Sequence, residues 1–328
     1  MPLGSAVVAR TAGTASEHFG GISGMDFDAA AQRWYLISDD RSQRAPARFY
    51  VARIELGAAG ISQIDVQAGV ALQLRPGEIP DPEALRLDPC SDRIAWASEG
   101  APGQTPSVRL ATRDGRHVAE LPLPPNLQQR PDAGPRDNLS FEGLAYTPDG
   151  QVLWLAMEAP LIEDGPVPTA TQGGWARLTR LPRDGGAAQQ FAYPLDAIPL
   201  PASGGRRRAD NGISEILALD AQTLLVVERS GREVADGRFE FDIRLYEARL
   251  AGATDVAAIA SLAHAGFVGA SKRLLLELSR AGLGRIDNIE AAAWGPRLRD
   301  GRATLLLASD DNFAPGQVNQ FLLFAVEP

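Results

Sequence analysis

One acidic pattern recurs five times along the chain and constrains the fold more than any other feature. In each repeat a polar residue opens a short apolar strand, a turn follows, and a second strand ends on an acid. The five opening and closing pairs are Ser23 and Asp39, Glu83 and Glu99, Glu142 and Glu158, Glu215 and Glu228, and Glu290 and Asp310. The first three pairs share a spacing of 16 residues. Repeats of short strands at such a period are typical of radial or solenoid architectures.

Each repeat extends into further strand-like runs with period-two alternation of apolar and polar residues. A third run follows the acid in every unit, and a fourth follows in the first four units, at residues 61–74, 117–123, 188–195 and 254–262. The fifth unit reaches the last residue without a fourth run, so residues 5–12 are predicted to complete its sheet and close the ring. The sequence predicts an all-β propeller of five four-stranded blades. The unplaced run 272–278 leaves a sixth blade open.

Length and charge fit one propeller domain over residues 1–328, because a propeller grows by adding blades around one axis. A net charge of −9 argues against a nucleic-acid partner. The sequence has no run of 18 apolar residues, so no membrane span is predicted. We expect a soluble monomer, cytoplasmic as the sequence stands, and periplasmic or secreted if a signal peptide has been removed.

The repeated acids indicate a cation site. The first strand of each propeller blade lines the central channel, and an antiparallel second strand returns to the same rim, so the opening and closing acids should share one mouth. Carboxylates this close raise one another's pKa unless cations compensate them. Oxygen ligands without His or Cys favour Ca²⁺ over Mg²⁺ or Mn²⁺. The predicted metal ligands are Asp39, Glu83, Glu99, Glu142, Glu215, Glu228, Glu290 and Asp310. The alternative is that these acids cap the backbone of neighbouring blades.

Other residue types near the predicted mouth suggest binding or catalysis. Arg41 and Arg229 each directly follow an acid and could pair with phosphate oxygens, or could form salt bridges between blades. His18 precedes the first inner strand and could protonate a leaving group. Asp-Asn pairs precede three of the opening acids, and Asn138, Asn211 and Asn288 could serve either a ligand or a turn.

Several segments in order resemble a bacterial family known as phytase-like proteins, or "esterase-like activity of phytase". The segments are GGISGMDFD, WYLISDDRS, ARFY, DPEALRLDP, NLSFEGLAYTPDG, NIEAAAWGP, LLLASDDNF and QFLLF, spread from about Phe19 to Phe324. The resemblance implies a repeated β domain rich in Glu and Asp that acts as a phosphoesterase. The fourth and fifth units depart from the common spacing, which puts the ligand set there in doubt.

The sequence thus predicts a Ca²⁺-dependent hydrolase that acts on a small anionic phosphoric ester, with Glu142, Glu158, Arg41, Arg229 and His18 as catalytic candidates. Two alternatives remain at this point. One is a lactonase or carboxylic esterase in which a single Ca²⁺ polarises a carbonyl. The other is a propeller that binds a ligand without catalysis. Several cations at one mouth would favour phosphate chemistry, one central ion the lactonase, and none the binding module.

Overall fold

Twenty strands form five sheets around one axis. The computed structural model describes residues 1–12, 19–57, 60–101, 104–199, 208–234 and 237–327. Its sheets each contain four antiparallel strands and are arranged as a β-propeller, which confirms the predicted fold and the predicted number of blades. Helix in the described residues is limited to three single 3₁₀ turns, Pro125–Leu127, Ile162–Asp164 and Leu278–Arg280. None of the described helices has the length and apolar character needed to cross a membrane.

The blades follow one another along the chain, each running from the channel outward. Blade one contains β2 (Ile22–Asp28), β3 (Arg33–Ser38), β4 (Arg48–Gly57) and β5 (Gly60–Ala71). Blade two contains β6 (Pro82–Leu87), β7 (Arg93–Ser98), β8 (Ser107–Thr112) and β9 (His117–Glu120). Blade three contains β10 (Phe141–Tyr146), β11 (Val152–Met157), β12 (Gly174–Pro182) and β13 (Gln189–Leu195).

The last two blades complete the ring. Blade four contains β14 (Gly212–Ala218), β15 (Thr223–Glu233), β16 (Phe239–Arg249) and β17 (Ser271–Glu277). Blade five contains β18 (Ile289–Gly295), β19 (Ala303–Ser309), β20 (Asn319–Val326) and β1 (Pro2–Val8). The core lies between adjacent sheets, where the apolar faces of the strands pack and Trp34, Trp96 and Trp154 are buried.

The N-terminal strand closes the last blade, as the sequence predicted. β1 pairs antiparallel with β20, with Ala6 opposite Phe321 and Val8 opposite Asn319. The strand begins at Pro2 and ends at Val8, a few residues earlier than the predicted run 5–12. Because the first and last strands share one sheet, the two ends of the chain hold the ring closed.

The outer strand of blade four was wrongly predicted. Residues 254–262 form turns rather than a strand, and β17, the run that the sequence left unplaced, pairs with β16 instead. Val256 and Leu262 are buried in a small apolar cluster with Ala192 of blade three. The alternation of apolar residues in 254–262 therefore reflects packing of a loop against blade three, and it imitates the pattern of a strand.

A buried ion pair connects blades across the channel. Arg86 on β6 lies 2.6 Å from Glu215 on β14, and both side chains are almost fully buried. The Arg86 guanidinium also donates to the carbonyl of Ile216 at 3.0 Å and to the carbonyl of Met25. One side chain of blade two thus contacts the inner strands of blades one and four. Burial raises the pKa of Glu215 to about 8, against the lowering effect of Arg86.

We expect Arg86→Met to destabilise the fold by about 3–5 kcal/mol, because it leaves Glu215 as a buried acid without its partner. The double variant Arg86→Met/Glu215→Met should lose clearly less stability than the single variant, since the unpaired acid is then gone. Urea unfolding followed by tryptophan fluorescence measures both values. A double variant that is as unstable as the single one would mean that the carbonyl contacts of Arg86, and not the ion pair, dominate.

Candidate functional site

Each inner strand begins with a β-bulge at the same end of the channel. The register shifts fall at Ser23, Glu83, Glu142, Ser214 and Glu290. A bulge adds one residue to the strand and redirects its side chain. At this end the blades surround a cavity of about 820 Å³, and Glu83, Glu142 and Glu290 line it.

The second strands return to the same mouth and bring a further row of acids beside the first. The backbone N–H groups of the four closing acids donate to carbonyls just before the inner strands. The pairs are Asp39 to Gly21 at 2.8 Å, Glu99 to Asp81 at 2.9 Å, Glu158 to Ser140 at 2.7 Å, and Asp310 to Asn288 at 2.9 Å. All four acids line the cavity. In blades two, three and five the hairpin therefore fixes two acids side by side, and in blade one it places Asp39 beside Ser23.

Blade four departs from this arrangement, and two predicted ligands lie elsewhere. Ile213 pairs with Glu228, so the bulge falls at Ser214. Arg229, the residue after Glu228, therefore stands where the other blades have the closing acid. Glu215 points instead to Arg86 in the channel. Glu228 pairs with Lys272 and accepts from Asn211 at 3.0 Å. Glu215 and Glu228 are therefore not part of the carboxylate set at the cavity. The shorter spacing between these two acids was the sequence signal of the changed register.

Sequence reasoning missed three acids that line the cavity, Asp40, Asp81 and Asp210. Asp81 lies two residues before Glu83, is 2% exposed and lines the cavity. It occupies the position that Asn288 occupies in blade five, and that correspondence was visible in the sequence. Ten carboxylate residues line the cavity, and we use the name acid ring for the eight other than Asp40 and Asp210: Asp39, Asp81, Glu83, Glu99, Glu142, Glu158, Glu290 and Asp310.

Two groups of ring carboxylates are close enough to share a cation. One group is Asp81, Glu83 and Glu99, and the other is Glu99, Glu142 and Glu158. In each group, one carboxylate oxygen from every member lies within 4.8 Å of the others. Glu99 belongs to both groups, so its two oxygens can serve neighbouring sites.

The two arginines singled out in the sequence both reach the acid ring. Arg229 lies 2.9 Å from Glu158 and 3.5 Å from Glu290, and its side chain is 14% exposed. Burial lowers the pKa of Arg229, but Asp210, Glu158 and Glu290 raise it more, so it stays charged. Arg41 pairs with Asp81 and donates to the side-chain oxygen of Asn138. In blade four the chain thus places a cation where the other blades place an acid.

The amides differ in their roles. Asn288 donates to Glu290 at 2.8 Å and to Asp310 at 3.3 Å, and its buried oxygen has no hydrogen-bond partner within the described ranges. Asn211 contacts Glu228 and lies away from the acid ring. His18 lies outside the described residues, so its predicted catalytic role stays a prediction.

The acid ring carries more negative charge than its arginines can offset. Burial, followed by the Glu290 and Asp81 carboxylates, raises the pKa of Asp39 to about 8. Burial also raises the pKa of Glu99 to about 8. The pKa values of Glu83, Glu142 and Glu158 are raised well above their usual range, again by burial first and then by other acids, with Arg229 opposing the shift at Glu142 and Glu158.

These donors fit a hard divalent cation. All are oxygens, and buried oxygens of Asp39 and Asn288 have no hydrogen-bond partner among the described residues. A cation among the carboxylates would relieve the repulsion that raises their pKa values. An all-oxygen set of this kind suits Ca²⁺, which accepts several carboxylates in flexible geometry.

Comparison with known proteins identifies the family. The model of the family described as "Phytase-like: Esterase-like activity of phytase" matches residues 17–313. A comparison with curated protein sequences found no significant match.

Among solved structures the chain resembles a thermostable family-43 glycoside hydrolase, with 10% identity, TM-score 0.48, and 94% and 91% of the two chains covered. It also resembles the catalytic domain of a Coprinopsis cinerea GH62 α-L-arabinofuranosidase, with 10% identity, TM-score 0.42, and 99% and 95% covered. The Kuenenia stuttgartiensis hydrazine synthase matches with 12% identity, TM-score 0.44, and 94% and 71% covered. We draw no functional conclusion from similarities this distant. The family match extends over most of the chain, and the protein therefore belongs to the phytase-like family.

Proposed function

We propose that the protein hydrolyses phosphoric esters at the acid ring, with Ca²⁺ as the cation. The observation that carries the proposal is that two clusters of three acids lie in one cavity with the guanidinium groups of Arg41 and Arg229. Carboxylates attract metal ions, and guanidinium groups bind phosphate oxygens through paired N–H donors. Both types of group are needed to bind and neutralise a phosphoryl group that carries two negative charges.

The residues that would hold the cations are the two groups that share Glu99. Asp81 and Glu83 would complete one site with it, and Glu142 and Glu158 the other. When bound, the cations would offset the charge of the phosphate and polarise its oxygens.

The other groups of the cavity would bind and orient the substrate. Arg229 is fixed between Glu158 and Glu290 and would donate to phosphate oxygens from the blade-four side. Arg41, fixed on Asp81, would donate from the side of blades one and two. Glu142 has no hydrogen-bonding or ion-pairing partner among the described residues and lines the cavity. It would therefore ligate a cation or position the attacking water and accept its proton.

Hydrolysis of a carboxylic ester or lactone is less well supported by this geometry. That chemistry needs one cation that polarises a carbonyl. The acid ring instead contains two adjacent clusters of three acids, which share Glu99. Two neighbouring cations with arginines beside them match the several oxygens of a phosphate better than the single oxygen of a carbonyl.

The thermal stability of the cation-free protein should fall as pH rises from 5 to 8. The folded-state pKa of Glu99 is about 8 and exceeds the unfolded value of about 4.3. Between these values the folded chain holds more protons than the unfolded chain, so raising the pH lowers the free energy of unfolding. Acids with lowered pKa values are already ionised in this window and do not oppose the trend. Thermal unfolding in EDTA at several pH values measures the effect.

Millimolar Ca²⁺ should raise the melting temperature, and more so at pH 8 than at pH 5. The cation binds deprotonated carboxylates of the folded state, and binding to the folded state alone stabilises it by mass action. A melting temperature that is the same in EDTA and in Ca²⁺ at pH 8 would contradict cation binding by the acid ring.

Glu142→Gln should lower the hydrolysis rate by about a hundredfold or more, because it removes a charge at unchanged size from a ligand or proton acceptor. The substrates are aryl phosphomonoesters, phosphodiesters, carboxylic esters and lactones, each assayed with and without Ca²⁺. Glu120→Gln makes the same change on the exposed outer strand β9 and serves as the matched control.

Phosphoester activity that survives in Glu142→Gln would remove this residue from the mechanism. Activity confined to carboxylic esters or lactones would overturn the phosphate proposal. The absence of hydrolysis with every substrate class would favour a propeller that binds a ligand without catalysis.

A further inference from the structure

The cavity has an acidic floor and a cationic mouth. The acid-ring side chains are mostly buried, whereas Arg44, Arg208 and Arg285 line the same cavity with exposed side chains. Its volume of about 820 Å³ is in the range of cavities that take a drug-sized ligand, roughly 300–1,000 Å³. A phosphate bound at the floor would leave room for a large part of the substrate beside the mouth.

Arg44 lies on an aromatic ring at this mouth. The central carbon of its guanidinium is 4.0 Å from the centroid of Phe313. The Phe313 ring also packs closely on the backbone of Gly21, where an added Cβ would come within 2.7 Å of a ring carbon. A cation–π contact of this kind uses the face of the guanidinium and leaves N–H donors at its edge available.

Both loops that carry this pair are fixed by the second Asp of an SDD sequence. The carboxylate of Asp40 accepts from the backbone N–H groups of Gln43 at 2.8 Å and Arg44 at 3.1 Å, and from the Arg48 side chain at 2.9 Å. These bonds and the Arg48 pair hold the pKa of Asp40 below its usual range, against the effect of burial. The loop that carries Arg44 is therefore anchored to the end of β3.

Asp311 does the same for the loop that carries Phe313. It accepts from the backbone N–H groups of Gly21 at 3.0 Å and Phe313 at 3.2 Å, and pairs with Arg10. Phe313 has φ 48° and Asn312 has φ 46°, a left-handed conformation that is uncommon for residues other than glycine. Such a conformation persists where surrounding contacts impose it, and it occurs often at functional sites.

Arg44 differs from the other arginines of its loop. Arg41 pairs with Asp81 and Arg48 with Asp40, whereas Arg44 forms no ion pair with a carboxylate in the described part of the chain. A second arginine of the mouth, Arg208, also lies near an aromatic ring, 5.1 Å from the centroid of Phe239, but it is 3.5 Å from Glu233. Arg44 is thus held in place with its charge uncompensated by a described acid.

We propose that Arg44 is a specificity-determining residue that binds an anionic group on the alcohol part of the substrate, outside the acid ring. Phe313 is a positioning residue that fixes the guanidinium at the mouth. The inference rests on the proposed function, which assigns the reacting phosphate to the floor. The preferred substrate class is then a phosphoric ester whose alcohol carries a carboxylate or a second phosphate.

Stable phosphonates test this preference without turnover. Isothermal titration in CaCl₂ compares phenylphosphonate with 3- and 4-phosphonobenzoate, which add a carboxylate at two distances from the phosphonate. We expect the better carboxylated ligand to bind the wild type about five- to tenfold more tightly than phenylphosphonate, as one charge-assisted contact allows.

Substitutions test whether Arg44 and Phe313 cause the preference for the carboxylated ligand. Arg44→Gln should reduce the ratio of phosphonobenzoate affinity to phenylphosphonate affinity to about one. Phe313→Leu should reduce this ratio in part and leave the melting temperature unchanged. Arg299→Gln, in the exposed turn between β18 and β19 at the other end of the blade, removes the same charge and should keep the ratio.

Equal affinity of the wild type for all three phosphonates, or an unchanged ratio in Arg44→Gln, would overturn the role of Arg44 and leave the proposed function standing. Failure of the wild type to bind any of the phosphonates would overturn the proposed function, and this inference with it.

Discussion

The geometry of the innermost hairpin decides what this propeller can do. In every blade the second strand returns to the mouth where the first began. In four of the blades one backbone hydrogen bond ties the residue after that strand to the segment before the inner strand, as between Glu158 and Ser140 at 2.7 Å. The bulge beside it redirects the opening residue. Blades two, three and five thereby place two side chains in one cavity, and blades one and four place one each, Asp39 and Arg229. The residues at the bulge and directly after the second strand therefore determine the chemistry of the site.

In four blades the sequence places at least one acid there, and the resulting repulsion must be balanced. Arg229, which replaces the closing acid in blade four, lies 2.9 Å from Glu158 and 3.5 Å from Glu290. Arg41 pairs with Asp81. Even with both arginines, burial and neighbouring acids raise the pKa values of Glu83 and Glu142. Under the proposed function, a cation would offset this repulsion, and its binding would stabilise the mouth.

Much of this could be predicted from sequence, and the failures have physical causes. The two-residue period of the strands and the 16-residue spacing from Glu83 to Glu99 made the blades visible. A bulge is invisible in such a pattern, because it adds a residue without changing the alternation farther along. In blade four the acid Glu215 was therefore aligned with the ring, although Ser214 occupies the bulge. Asp81 was missed because Pro82 separates it from the apolar run that marks the strand.

The second acid of each SDD sequence illustrates a further limit. Asp39 and Asp310 belong to the acid ring, whereas Asp40 and Asp311 accept backbone N–H groups and hold the adjacent loops. Both pairs directly follow the last residue of a strand, Ser38 or Ser309, and the two neighbouring carboxylates of each pair make different contacts. The sequence predicted Asp39 and Asp310 at the mouth, and only the hydrogen bonds of the structure reveal that Asp40 and Asp311 shape the loops.

The number of Ca²⁺ ions bound per chain tests the central claim most directly. Equilibrium dialysis should show two Ca²⁺ ions bound to the wild type. Glu99→Gln should weaken Ca²⁺ binding at both sites, because Glu99 belongs to both clusters of three acids. Glu228→Gln is the matched control, since Glu228 pairs with Lys272 away from the cavity, and it should keep both ions. A wild type that binds no Ca²⁺ at millimolar concentration, or a Glu99→Gln variant that binds two ions with unchanged affinity, would contradict the account.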